Sequence, residues 1–297
     1  MFETGEWFQA LRQIYQSFVP EELRRYAWIS RAILFSPYFY LAILAALAVE
    51  FLRPVTRDRR HFYPGLAQDF IWFLSDSIFQ ATLLPVCLGF LEMFYQKYLN
   101  FLTVASVQAL PLSLKFLSAI LIYDFCQWLH HWVRHKVTLF WYFHCIHHSA
   151  RGINIFTDLR VHPVEYLIAR TITFIPLFMF DADPFTIVGV GLFTQWYTRI
   201  YHGNLKTNYG PFKYFLVTPQ SHRIHHSMRP EQREKNFGVI FTFWDRMFGT
   251  LYAKYDEYPE TGIDDPNFPL EQTASLALFG NYFKQILYPF KRILSSF

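Results

Sequence analysis

Histidine is the residue type whose placement in this chain points to chemistry. Eleven of the 12 histidines lie between positions 130 and 226, about a third of the 297 residues. Their spacing is more telling than their number. His131 and His135 are four apart in HWVRH, His144 precedes His147 and His148 by three and four in HCIHH, and His222 precedes His225 and His226 in the same way in HRIHH. Residues three and four apart share one face of an α-helix, so each group can aim two or three imidazoles at one point. His202, in YHGN at the end of an apolar stretch, can join them. Imidazole is a ligand for zinc, iron, copper and nickel, and one zinc site takes about four protein ligands. Eight or nine gathered imidazoles therefore imply two metal ions. Of the neighbours His130 and His131, the second is the expected ligand: at about 100° per residue, 131 to 135 returns close to one face, while 130 is displaced from 135 by about 140°. Asp124 lies two turns before His131, where its carboxylate could accept the second ring N–H of a liganding histidine. His61, His130 and His162, taken singly, read as capping or surface groups.

The elements that must gather these segments read as a membrane bundle. Hydrophobic residues make up 53% of the chain and charged ones 17%, against about a quarter charged in soluble domains. With 34 Phe, 19 Tyr and 8 Trp, there is more apolar surface than a globular core absorbs, so much of it should face lipid. The formal charge of +4 is spread without a Lys/Arg block, which gives nucleic acid no footprint. Cys87, Cys126 and Cys145 are an odd number with no CxxC, so neither a disulfide framework nor a zinc ribbon is available.

The N-terminus lacks the basic and then apolar regions of a cleavable signal. Instead Trp7, Phe8, Leu11, Ile14, Tyr15 and Phe18 fall at the spacing of a helix lying on a membrane surface. Three apolar runs follow, at 33–52, at 70–91 with Asp76 inside, and at 111–130 with Asp124 inside. Each is long enough to cross a hydrocarbon core of about 30 Å at about 1.5 Å per residue. The loop between the first two holds Arg53, Arg57, Arg59 and Arg60, whereas residues 95–110 hold only Lys97. The positive-inside rule then puts the Arg-rich loop, and everything from His131 onward, on the cytoplasmic side. Residues 165–201 are apolar again and broken by Asp-Ala-Asp-Pro at 181–184, which reads as a helical hairpin that starts and ends at one face, with Glu165, Arg170 and Arg199 near its open end. Beyond an acidic loop, Leu276, Phe279, Phe283, Ile286, Phe290 and Ile293 mark a last amphipathic helix on the membrane surface. The expected fold is an all-α integral membrane protein: residues 1–118 form an interfacial helix and membrane spans, 119–252 a catalytic domain, and 253–297 a loop and surface helix.

Rival readings fit less well. A membrane zinc protease would need Glu directly after the first His of H-x3-H, where Trp132 stands. A histidine-lined metal transporter, the alternative to an oxidoreductase, would carry ligands deep within several spans, whereas these follow span ends. GVGLFT at 189–194 sits inside an apolar run with no strand before it, so it is no dinucleotide site.

The order H-x3-H, H-x2-H-H, apolar hairpin, H-x2-H-H resembles the membrane-bound fatty acid hydroxylase and sterol desaturase superfamily. DLRVHPVE at 158–165, TPQSHRIHH at 218–226, NFG at 236–238 and WDRMFGT at 244–250 add to the resemblance, which covers roughly residues 119–252. It implies a non-haem di-iron cap on the cytoplasmic face, with His131, His135, His144, His147, His148, His202, His222, His225 and His226 as ligands. His162 would be a tenth ligand or a supporting group, and Arg160, Glu165 and Asn204 would support the site beside Asp124. The resemblance further implies O2 as co-substrate and a fatty acyl or sterol-like membrane lipid as substrate. The reaction would be hydroxylation or desaturation at an unactivated C–H bond, or the oxidation of an alkylglycerol ether. Each turnover needs two electrons from outside, and the chain has no nucleotide fingerprint, iron–sulfur cysteines or haem module. A separate donor is therefore expected, a ferredoxin, a cytochrome or a reduced pterin, docking where Arg151, Arg160, Arg223 and Arg229 flank the histidines.

Overall fold

The computed structural model describes residues 19–34, 36–55, 59–270 and 275–296. Among them all regular structure is helical apart from three isolated β-bridges. The surface helix expected from Trp7 to Phe18 lies outside the described residues.

The single spanning helix expected over 33–52 is not present among the described residues. The segment is divided between two helices, α1 (Glu21–Leu34) and α2 (Pro37–Leu52). Pro37 has no N–H to give to a preceding turn and opens α2 at its first position, capped by Ser36. The 16 residues of α2 reach about 24 Å, short of a hydrocarbon core of about 30 Å. Of the two helices, α1 runs along α3 (Arg59–Phe94). Arg25 bonds Glu92 at 3.0 Å, Arg31 reaches the Ala81 carbonyl at 3.4 Å, and Phe39 packs with Phe73. Gly89 permits the close crossing, since a Cβ there would fall 2.5 Å from Leu23 Cδ2 and 3.0 Å from Leu23 Cα.

The 36 residues of α3 reach about 54 Å, more than the hydrocarbon requires. Its first turns belong to the histidine-bearing cap. Asp69 is fully buried there and accepts from Arg160 Nε and Asn154 Nδ2 at 2.6 Å each and from Thr157 Oγ1 at 2.9 Å. From Phe70 onward the helix exposes Phe70, Leu74, Ile78, Leu83, Val86 and Phe90. The next long helix, α4 (Leu112–Lys136), exposes Leu112, Leu114, Phe116 and Leu117. Both are long and apolar enough to cross a membrane, and a contiguous apolar surface of this kind faces lipid.

At Val137 the chain turns into α5 (Thr138–His148), and two further helices, α6 (Pro163–Met179) and α7 (Pro184–His202), begin and end at the cap. Between them the chain reverses near the far loop, where Val104 N donates to the Met179 carbonyl at 2.8 Å. Each arm packs on α4, and Tyr166, Ala169 and Arg170 of α6 face Gly191, Thr194 and Gln195 of α7 across a cavity. The last helix, α9 (Ser275–Leu294), presents a polar face inward: Gln285 accepts from Trp72 Nε1 at 2.9 Å, and Tyr282 shares a hydrogen bond with Ser75 at 2.6 Å. Its exposed apolar stripe is Phe279, Phe283, Leu287, Phe290 and Leu294, while Ile286 packs inward with Tyr282 and Tyr288.

Candidate metal centre

Nine histidines meet in the cap from four elements: α4, α5, the end of α7, and α8 (Pro219–His225) with its C-cap His226. A helix of seven residues does not hold by itself. Thr218 starts it with a reciprocal cap, its Oγ1 accepting from Ser221 N at 3.1 Å and Ser221 Oγ accepting from Thr218 N at 2.9 Å.

The nine form two buried groups, His131, His135, His144, His148 and His225 in one and His147, His202, His222 and His226 in the other; within each, the potential ligand atoms lie within 4.8 Å of one another. Each triplet is shared between the groups. His144 and His148 serve the first while His147 serves the second, and His222 and His226 serve the second while His225 crosses to the first. His148 stacks on His226 with centroids 4.3 Å apart, so the groups are neighbours. In the second group the Nε2 atoms converge: His202 lies 3.1 Å from His147 and 2.8 Å from His222, and His222 lies 3.0 Å from His226.

The other ring nitrogens explain the aim. Nδ1 of His131 faces the Phe237 carbonyl at 2.9 Å, that of His225 the Lys235 carbonyl at 2.8 Å, that of His202 the Thr198 carbonyl at 2.7 Å, and that of His144 a Glu165 oxygen at 2.8 Å. An acceptor there requires the proton on Nδ1 and leaves a lone pair on Nε2. The buried Nε2 atoms of His131, His144 and His225 have no hydrogen-bond partner. Leaving one such group unpaired costs about 1–3 kcal/mol, so several aimed at one point fit a bound cation. Burial, with smaller contributions from neighbouring imidazoles, pushes the pKa values of His147, His148, His222 and His226 well below the ordinary 6.5, so these rings are neutral ligands near neutral pH. Five and four imidazole nitrogens without a thiolate suit two first-row transition-metal ions.

A fatty acid hydroxylase family model matches residues 116–250, the region that carries all nine histidines. The match takes in a little under half of the chain. Its relatives include the alkylglycerol monooxygenase of Caenorhabditis elegans, 32% identical over 141 residues, covering 47% of this chain and 28% of that one. The ornithine lipid hydroxylase OlsE of Rhizobium tropici is 26% identical over 142 residues, 48% of this chain and 43% of that one. The alkylglycerol monooxygenase of Danio rerio is 28% identical over 257 residues, 84% of this chain and 54% of that one. The chain thus spans between about a quarter and about half of the length of these relatives. No solved structure matches it.

The residues expected to support the site divide. Glu165, at the first turn of α6, accepts from His144 and from Arg134. Asn204 links α2 to α8, its backbone N–H donating to Glu50 Oε1 at 3.1 Å and its Oδ1 accepting from Arg223 Nη1 at 3.4 Å. Asp124, expected behind a liganding histidine, touches none. It accepts from Ile240 N at 2.7 Å, Phe241 N at 3.2 Å and Trp244 Nε1 at 2.9 Å, because the chain after Phe237 fills the space at that face of α4. His162 stands in neither group: its Nδ1 accepts from Val164 N at 3.1 Å to cap α6 and its Nε2 donates to the Ile286 carbonyl at 3.1 Å, so both nitrogens are used in docking α9. Arg160 is fully buried, pairs with Asp69 and donates to Ser149 Oγ at 3.0 Å, a strut beneath the cap. Arg223 is buried as well, donating to the Pro259 carbonyl at 2.8 Å, and Arg229 pairs with Glu257 at 3.5 Å. Arg151 and Arg229 alone of the four arginines expected to meet a carrier are exposed.

Sequence reasoning missed Arg134, which lies within HWVRH and pairs with the Glu165 carboxylate behind His144, and Asp245. The latter accepts from Trp128 Nε1 at 3.1 Å, from Phe237 N and Gly238 N at 2.8 Å each, and from Thr250 Oγ1 at 2.6 Å. It thereby holds the Phe237 carbonyl toward His131. Gly238 is required at this turn, since a Cβ would stand 2.7 Å from the Phe241 carbonyl and 2.9 Å from Asp245 Oδ2. The signal for Asp245 and Gly238 was present in WDRMFGT and NFG, and that for Arg134 in HWVRH.

A cavity of about 130 Å³ opens beside the histidines, lined by His131, His144, His147, His202 and His222 on one side. It adjoins a second chamber of about 60 Å³ across Tyr166, Arg170, Gly191 and Gln195, which line both. Leu84, Leu88, Phe174, Ile187 and Leu192 make that outer chamber apolar.

Proposed function

We propose that the chain is an oxygen-dependent di-iron oxidoreductase that hydroxylates a C–H bond of a membrane lipid. The observation that carries this reading is the placement of nine imidazoles in two groups beside a cavity that opens into an apolar chamber between lipid-facing helices. Iron held by the two groups would supply the oxygen-activating chemistry that no side chain in the cap offers. The residues of the chain do the rest. The carbonyls of Thr198, Lys235 and Phe237 and the Glu165 carboxylate hold four rings in the tautomer that presents Nε2. Tyr201, buried against His202 and His222, and the cap segments around it keep bulk water from the reacting carbon. Desaturation would require only that hydrogen leave two neighbouring carbons, and the alkylglycerol monooxygenase relatives make an ether-bearing lipid the alternative substrate.

Electrons come from an external carrier, a ferredoxin, a cytochrome or a reduced pterin. An open groove of about 340 Å³ reaches His148 and is lined by Trp141, Arg233, Asp264 and Arg292. Trp141 packs on His135 and His148 with centroids 5.1 and 5.4 Å away, which supports this groove as the entry for the donor. The cap lies at the same end of the bundle as Arg53, whose carbonyl accepts from Lys206 N at 2.9 Å, and that end is the cytoplasmic one in this reading. Metal analysis of the detergent-purified protein should find about two iron atoms per chain, and lipids of a deletion strain should lack an oxygenated species present in the wild type. One tightly held zinc without iron, together with an unchanged lipid profile, overturns the reading.

A further inference from the structure

Arg170, midway along α6, is a cation that the metal centre does not use. Its Nη1 donates to Tyr123 Oη at 2.5 Å and its Nη2 to Tyr166 Oη at 2.8 Å, and the guanidinium carbon lies 4.5 Å from the Tyr166 ring centroid. Among the described residues it has no carboxylate at ion-pair distance. Asp76 accepts from Gln80 Nε2 at 2.5 Å, Glu165 is taken by Arg134, and Asp158 lies 3.6 Å from Arg199. A guanidinium carries five N–H donors in a rigid fork suited to carboxylate and phosphate, and two are used here. The Arg170 side chain is half-buried, and a cation drawn partly out of bulk water is costly unless it is paired.

The place of this cation gives it meaning. It lines both chambers, and Gln127, Thr194, Gln195 and Thr198 make the inner one polar, whereas the outer one is apolar. The inner 130 Å³ is close to the roughly 150 Å³ of a cavity that takes one benzene, room for a small polar group and a few carbons. Glu165, which touches His144, precedes Arg170 by five residues, about 7.5 Å along the helix at about 1.5 Å per residue.

We infer that Arg170, held by Tyr123 and Tyr166, receives an anionic oxygen group, carboxylate or phosphate, of an amphiphile whose tail lies in the apolar chamber. The carbon presented to the histidines then lies within a few bonds of that group. This inference rests on the oxidase reading for its consequence, while the binding step can be measured without it. Equilibrium dialysis of labelled palmitate against the purified, metal-loaded protein, with hexadecyl phosphate and hexadecanol as competitors, is the test. One or both anions should bind at least about tenfold more tightly than hexadecanol, charge-assisted bonds being the stronger ones. The tighter of the two anions identifies the source of the group. Arg170→Gln should abolish the preference and leave hexadecanol binding unchanged. A carboxylate bound to the metals instead would keep its preference in this variant and overturn the inference, as would equal binding of all three ligands to the native protein. If Arg170→Gln does not fold, Arg170→Lys decides: it keeps a charge but loses the fork, so the anion preference should fall several-fold, and an unchanged preference again overturns it. A protein that prefers anions yet oxidises no lipid would refute the oxidase reading alone.

Discussion

Glu165→Gln separates the two imidazole groups. One oxygen of Glu165 accepts from His144 Nδ1 at 2.8 Å, and the carboxylate pairs with Arg134, whose side chain is 17% exposed. Glutamine keeps the shape and removes the charge. A carboxylate behind a liganding histidine is worth about 10–100-fold in metal affinity, which is about 1.4–2.8 kcal/mol. The loss falls on the first group, because His147, His202, His222 and His226 make no contact with Glu165. Breaking a buried ion pair costs about 3–5 kcal/mol of stability, and the partial exposure of Arg134 places the effect near the lower end. The assay is dialysis of the purified variant against graded chelator with iron per chain read by mass spectrometry, alongside a thermal melt. Half of the iron should leave at a chelator concentration lowered by about 10–100-fold while the other half leaves at the native midpoint. Loss of both ions together in a folded variant, or an unchanged profile, refutes the assignment of Glu165 to one of two separate sites.

Asp124→Ala strands the buried Ile240 N–H, worth about 1–3 kcal/mol, and the part-buried donors of Phe241 and Trp244, so the melting temperature in detergent should drop clearly; an unchanged melt contradicts the bracing role. The metal-free protein should be most stable above pH 6.5. The cap imidazoles His147, His148, His222 and His226 titrate well below that ordinary value, so as pH falls the unfolded chain takes up protons first and stability is lost by about 1.4 kcal/mol per pH unit for each ring. A pH series of melts that is flat between 7.5 and 5.5 would refute it. Cysteines placed at the exposed positions Lys206 and Lys254 should react with an impermeant reagent only in inverted vesicles, given the four-arginine loop against the lone Lys97; labelling in intact cells would reverse the orientation.

Local spacing carried much of what this protein is. The i, i+3, i+4 patterns marked eight of the nine imidazoles that meet in the cap, His202 being marked by its place at the end of an apolar stretch, and two apolar runs marked the lipid-facing parts of α3 and α4. Asp and Pro at 181–184 marked the reversal between α6 and α7. These are short-range properties: helix periodicity, run length and the missing proline N–H act within a few residues. The break at Ser36–Pro37 was equally local, yet the apolar run over 33–52 hid it. Tertiary structure alone decided the rest. Residues three and four apart lie on nearly the same face, so spacing could not tell that His147 parts from His144 and His148, or that His225 parts from His222 and His226. The elements facing them across the cap decide that. Arg160 and Asp124 look alike to a sequence reading, charged groups beside a metal motif, but their partners lie 91 residues away at Asp69 and 116 residues away at Ile240. A buried charge takes whichever hydrogen-bonding group packing brings to it, and packing across such separations leaves no periodic trace in the chain.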